Sequence, residues 1–149
     1  MKKAERKRSV IVLSLHPEWW ERMKAGDKLL EIRKTRPRGS SPYEVMVYIT
    51  GGVGVVGEFA CDCFYKIEAV PQIGPWALPE DESGIPYNLE AASCLTRQQL
   101  KEYAGEDGKP LWGWHVTDCR EYSRTITLAD LGIKKPPQSW CYAKIGGAA

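Results

Sequence analysis

Gly26-Asp27-Lys28-Leu29-Leu30-Glu31-Ile32-Arg33 packs two cations and a carboxylate into the point where a helical pattern gives way to a strand-like one. In strand geometry Glu31 and Arg33 share a face, about 6 to 7 Å apart. Lys28 has the opposite parity. It reaches the other two only from the turn between helix and strand, where side-chain direction is less fixed. Read from the residues alone, the cluster either holds a phosphate or base edge or is an ion-paired strand face of small energetic weight.

The flanking sequence frames this cluster. Ser9 to Leu15 reads as a first strand. Pro17 suits the first turn of a helix, where its missing N–H costs nothing. Glu18 and Glu21 favour that helix at its positive end, and Trp19, Trp20 and Met23 give it an apolar face. Gly26 is its natural stop, and Lys28 to Lys34 reads as the second strand. Arg36 to Pro42 is a loop. Tyr43 to Thr50 is strand-like with Val45, Val47 and Ile49 on one face, Gly51-Gly52 turns the chain, and Val53 to Ile67 is a long strand expected to bend at Gly57. Residues Pro71 to Asn88, with four prolines and acidic Glu80-Asp81-Glu82, read as irregular. Thr96 to Gln99 forms a capping box opening a helix to about Ala104. Leu111 to Tyr122 is a strand, Thr127 can cap one helical turn ending at Gly132, and Ser139 to Ile145 is a last strand. The order lacks βαβ repeats, so a doubly wound parallel sheet is not expected. Short strands with Gly/Pro turns predict a mainly β, α+β fold: a small mixed or antiparallel barrel with helices over its ends.

Composition fits this picture. The 149 residues, 43% hydrophobic and 27% charged, suit one globular domain over 9–146, preceded by a basic tail at 1–8. No apolar run is long enough to span a bilayer, and Val10-Ile11-Val12-Leu13 is too short for a signal-peptide core, so no membrane role and a cytoplasmic location are expected. Five cysteines without a disulfide-like spacing fit a reducing compartment. Residues 1–38 carry 12 Lys/Arg against 5 Asp/Glu (+7), and residues 39–149 carry 9 against 14 (−5). The positive field therefore falls on the part of the chain that holds the cluster.

Other motifs carry less. Gly52-Val53-Gly54-Val55-Val56-Gly57 matches a dinucleotide-binding glycine pattern, but a strand rather than a helix follows, so a turn and a bulge are expected and no cofactor. Cys61 and Cys63 share a strand face, and Cys119, Cys141, His16 and His115 could join them. The close cysteine pairs of structural zinc sites are absent, so no metal site is expected. Cys/His or Ser/His catalytic pairs can be drawn, but no nucleophile elbow is present. Six tryptophans are many for this length. Four or more are expected in the core, with Trp19 or Trp140 available to stack on a base.

Taken together, these residues resemble a known family. Gly26-x-Lys28-x-x-Glu31-x-Arg33 resembles the G-x-K-x-x-E-x-R signature of the ASCH domain (activating signal cointegrator homology), within the PUA-like superfamily. Leu13-Ser14-Leu15-His16-Pro17 before the helix and Val56-Gly57-Glu58-Phe59 after the signature resemble segments of the same family, and the closing Pro136-Pro137-Gln138-Ser139-Trp140 resembles that of its phage- and prophage-type bacterial members. The resemblance spans roughly residues 9–146. It implies a PUA-like barrel with a cleft that binds RNA or nucleotide-like ligands. Lys28 and Arg33 would contact phosphate or base edges, Glu31 would orient them, and His16, Trp19 and Trp140 would lie around the ligand. Some members look like ribonucleases or amidohydrolases, the latter with a Lys followed three residues later by Thr. This chain keeps Lys28 but has Glu31 at the Thr position. A hydrolase with Lys28 or Glu31 as the catalytic group, and a purely structural role for the signature, are the alternative readings.

Overall fold

The computed structural model describes residues 10–39, 42–70, 74–77, 89–105 and 109–143. The basic tail at 1–8 and most of the segment from Pro71 to Asn88 lie outside these residues. Strand β1 (Val10–Leu15) runs into helix α1 (Pro17–Lys24), followed by β2 (Leu30–Arg33), β3 (Tyr43–Ile49), the long β4 (Gly54–Val70), β5 (Gly74–Ala77), helices α2 (Leu89–Ser93) and α3 (Arg97–Ala104), the long β6 (Leu111–Ile126), a 3₁₀ turn (Ala129–Leu131) and β7 (Trp140–Ala143). The strands lie in the order β2-β6-β4-β3-β1-β7, and β5 pairs with β4 outside this path. The β1–β3 pair is parallel and the other pairs are antiparallel, which gives the expected mixed, mainly β architecture. The ladder is open: among the described residues the end strands β2 and β7 are not paired with each other.

The parallel pair is buried on both faces, as its near-continuous apolar sequence requires. Ile11, Leu13 and Leu15 of β1 join Val45, Val47 and Ile49 of β3, Phe59 and Trp114 in the main core, capped by Trp20 and Met23 of α1. Val10 and Val12 face the other way, onto Met46, Tyr48 and Val55, beneath Leu128 and Leu131 of the 3₁₀ turn. That turn forms as expected. Thr127 Oγ1 accepts from the Asp130 amide at 3.1 Å, and Gly132 takes a left-handed φ of 70° at its end. A third cluster packs Leu30 and Ile32 of β2, Ile67 and Leu111 under Leu89, Ala92 and Leu100 of the two helices. The alternation along β2 thus sends Leu30 and Ile32 into an apolar layer and leaves Glu31 and Arg33 for the opposite face.

Helix α2 fills the stretch between Asn88 and Thr96 to which the sequence assigns no element, while α3 carries its capping box: Gln99 N donates to Thr96 Oγ1 and Thr96 N to Gln99 Oε1. Strand β6 runs four residues past Tyr122, to Ile126. Of the tryptophans, Trp20 and Trp114 are fully buried, while Trp19, Trp112 and Trp140 are partly buried and packed on the main core.

The bend at Gly57 is where the β4–β6 register slips, between Val55 and Gly57. A Cβ there would stand 2.5 Å from the Arg120 carbonyl oxygen and 2.5 Å from Cζ2 of the Trp20 ring. The missing side chain is what lets helix α1 seat its indole against the sheet. Gly57→Ala is therefore expected to lower stability by about 1 to 3 kcal/mol in urea denaturation, the usual cost of overpacking. Unchanged stability would contradict this account of how α1 docks.

Candidate functional site

Helix α1 ends in a turn that aims Lys28. The Gly26 amide donates to the Met23 carbonyl at 3.1 Å, and the Asp27 and Lys28 amides both reach the Arg22 carbonyl, at 3.0 and 3.1 Å. Gly26 adopts φ +84°, the left-handed conformation that ends helices and that glycine tolerates. The Leu29 amide then donates to the Ala92 carbonyl of α2 at 2.7 Å, fixing the start of β2. Lys28 thus sits in the turn, the one place from which its side chain can join Glu31 and Arg33.

It does join them. Lys28 Nζ lies 3.3 Å from Glu31 Oε1, and Arg33 Nη2 and Nε lie 2.7 and 3.2 Å from Glu31 Oε2. Lys28 is 1% exposed and Glu31 5% exposed, so the network is shielded from water. Each cation has further partners. Lys28 Nζ donates to the Ser93 carbonyl of α2 at 2.5 Å and lies 5.0 Å from the centre of the Trp19 ring. Arg33 Nη2 donates to the Ser14 carbonyl at 2.8 Å, and Nη1 to Ser139 Oγ at 3.1 Å. Ser14 and Ser139 belong to β1 and the approach to β7, so the guanidinium spans the gap that the ladder leaves open.

Burial alone would push the Glu31 pKa up. The charges of Lys28 and Arg33, together with their hydrogen bonds, outweigh it and hold the carboxyl below its ordinary range. Glu31 is therefore an ionised acceptor, not an acid or base poised near neutrality.

A cleft of about 350 Å³ opens above this network. Lys28, Glu31 and Arg33 line it together with His16, Trp19, Thr50, Tyr103 and Gln138. His16 stands at the mouth, its Nδ1 3.1 Å from Thr50 Oγ1. Trp140 does not line this cleft. Its indole N–H donates to Thr35 Oγ1 at 2.9 Å, and its ring meets Trp114 edge-on, so it is a packing residue. Sequence reading missed Tyr103, Thr50 and Gln138. Tyr103 stands on α3, and burial pushes its phenol pKa up, with Arg33 opposing and Glu31 adding to the shift.

The remaining motifs separate. The glycine pattern leads into β4, as a turn and strand. Cys61 is buried, and desolvation pushes its thiol up to about 12, which makes it inert. The two histidines are apart in the fold. His16 meets Thr50, and His115 Nδ1 lies 2.6 Å from Asp62 Oδ1. None of the five cysteines is in a disulfide. Among the described residues no helix is long and apolar enough to cross a membrane.

No family model matches this sequence, and neither does any curated protein. Solved structures do match. The crystal structure of ASCH from Zymomonas mobilis is 21% identical, covering 89% of this chain and 86% of that one with a TM-score of 0.66. Two single-residue mutants of the Zymomonas mobilis protein, 21% and 20% identical, match over 92% and 91% of this chain, each at a TM-score of 0.66. The likeness establishes that this chain has the ASCH-domain fold.

The buried network gives a pH signature. Glu31→Gln leaves two cations facing an uncharged group and is expected to cost about 3 to 5 kcal/mol at neutral pH. Because folding lowers the Glu31 pKa, its contribution is complete above the unfolded value of about 4.3 and is lost as pH falls through the folded value. The stability gap between wild type and Glu31→Gln should therefore narrow below about pH 4.5 in chemical denaturation. A gap independent of pH would contradict the assignment.

Proposed function

We propose that this ASCH-fold domain binds RNA or a nucleotide-like anion in the cleft above Lys28, Glu31 and Arg33, with the signature shaping and charging the floor rather than making most of the contacts. The observation that carries this reading is the shared lining. Two cations and one carboxylate at the floor leave one net positive charge, beneath walls that offer an aromatic ring on α1, another on α3 and neutral hydrogen-bonding groups. A net positive charge buried at the base of a cleft attracts phosphate with little screening. Trp19 and Tyr103 supply the apolar surfaces on which a base can stack. His16, Thr50 and Gln138 supply donors and acceptors for base edges or sugar hydroxyls.

The internal bonding of the floor supports this division of roles. Arg33 is committed to Glu31, Ser14 and Ser139, and Lys28 to Glu31, Ser93 and the Trp19 face. These groups set the field and the shape, while the wall residues meet the ligand. A hydrolytic reading with Glu31 as general base fits less well, because its lowered pKa makes it a weak base at neutral pH.

Titrating the protein at low salt with a short single-stranded RNA, and separately with nucleoside 5′-monophosphates, tests the reading through tryptophan fluorescence. Binding should weaken as salt rises. Tyr103→Ala and Trp19→Ala should each cost about 1 to 3 kcal/mol of binding. Absence of binding at low salt to both probes, or affinity indifferent to both substitutions, would refute it.

A further inference from the structure

Strands β4 and β6 lose register a second time, well away from Gly57. Cys61 pairs with Val116 and Phe64 with Trp114, so β4 places two residues, Asp62 and Cys63, opposite the single residue His115. This is the two-against-one count of a β-bulge, a device that re-aims side chains. Here it gathers a carboxylate, a thiol and an imidazole. One donor atom from each of Asp62, Cys63 and His115 lies within 4.8 Å of the other two. Asp62 Oδ1 and His115 Nδ1 are already 2.6 Å apart. The Asp62 side chain is 53% exposed and that of His115 18% exposed, so the group is anchored in the sheet and reachable from solvent.

We propose that Asp62, Cys63 and His115 form a binding site for a divalent transition-metal ion of the zinc type, with the remaining coordination position open to solvent. The chemistry of the donors selects the ion. One sulfur, one imidazole nitrogen and one carboxylate oxygen form a mixed set that suits a borderline-soft cation. Magnesium and calcium favour all-oxygen sets, and copper(I) favours soft sulfur donors. Zinc bonds of about 2.0 to 2.3 Å place tetrahedral donors about 3.3 to 3.8 Å apart. The carboxylate and imidazole, 2.6 Å apart, must therefore part by about 1 Å, and the thiol, within 4.8 Å of both, must come no closer than about 3.8 Å. The exposed Asp62 side chain has room to turn for this without moving the strands. Three protein ligands with an open position is the coordination pattern of reactive rather than purely structural zinc.

The site is separate from the cleft. Neighbouring strand residues point to opposite faces, so His115 looks away from the buried Trp114 that pairs with Glu31. Tyr65 meets the imidazole edge-on on that side, with ring centres 6.3 Å apart. Metal binding and ligand binding in the cleft can thus fail independently.

Cobalt(II) serves as the probe, because a thiolate ligand gives it a charge-transfer band that water or carboxylate ligands do not. The full-length protein, held reduced, is titrated with Co²⁺ and then with Zn²⁺. The expected result is a thiolate-to-cobalt band saturating at one equivalent, with tetrahedral visible bands, both displaced by Zn²⁺. Cys63→Ser should abolish the charge-transfer band. His115→Ala and Asp62→Asn should each weaken cobalt binding at least tenfold, while Cys94→Ser and Cys61→Ala leave it unchanged. Asp62→Asn is a surface change of similar volume, so it keeps the test decisive if another variant folds poorly. Zn²⁺ should also raise the melting temperature of wild type and not of Asp62→Asn. No charge-transfer band at stoichiometric cobalt would overturn the proposal and leave a hydrogen-bonded imidazole and carboxylate beside a thiol. A band that survives Cys63→Ser, or that depends on Cys94, would overturn it equally.

Discussion

A single carboxylate, buried between two cations, ties the pieces of this fold together. Glu31 holds Lys28 on one oxygen and Arg33 on the other. Lys28 carries the link on to the Ser93 carbonyl of α2, and Arg33 carries it to Ser14 on β1 and to Ser139 before β7. Among the described residues the sheet is open between β2 and β7, and main-chain hydrogen bonds elsewhere in the ladder have no counterpart there. The guanidinium supplies one. Such a device suits arginine, whose planar fork makes several directed bonds at once, better than lysine, which acts more nearly as a point charge.

The same arrangement gives the cleft its floor. A buried ion group is expensive to dehydrate, and its worth to folding depends on each charge finding full partners. Here Ser14, Ser93 and Ser139 bring partners from three segments outside the stretch that holds the charges. The charges are therefore held rigid before any ligand arrives. On the proposed reading, a preorganised floor of this kind costs a ligand little reorganisation and leaves selectivity to the wall residues His16, Trp19, Thr50, Tyr103 and Gln138. The face of β2 opposite this network packs Leu30 and Ile32 against Ile67, Leu111 and the two short helices, so the strand that bears the charges is braced from behind.

Much of this was legible in the sequence, for identifiable reasons. Strand parity put Glu31 and Arg33 on one face and required Lys28 to sit in a turn, and the glycine at position 26 marked that turn. The flanking strand, helix and capping signals located most of the elements. What escaped the sequence depends on contacts between distant segments. Helix α2 is five residues long, too short for a periodic pattern, and its place is set by the bonds that Lys28 and Leu29 make to its carbonyls. Tyr103 comes to the cleft only because α3 packs over β2. Trp140 lies beside the signature's partners in sequence, yet its indole is claimed by Thr35 and Trp114. The grouping of Asp62, Cys63 and His115 needs a bulge between strands about fifty residues apart, which no spacing rule reveals.

The coupling between Glu31 and Arg33 is the most direct measure of whether this network governs the fold. A double-mutant cycle of Glu31→Gln, Arg33→Met and the double variant, followed by urea denaturation at neutral pH, isolates it from the cost of each change alone. The account predicts a coupling of about 2 to 3 kcal/mol, with the double variant markedly more stable than the sum of the single losses implies. Losses that add to within about 0.5 kcal/mol would show that the two side chains act independently and would contradict it.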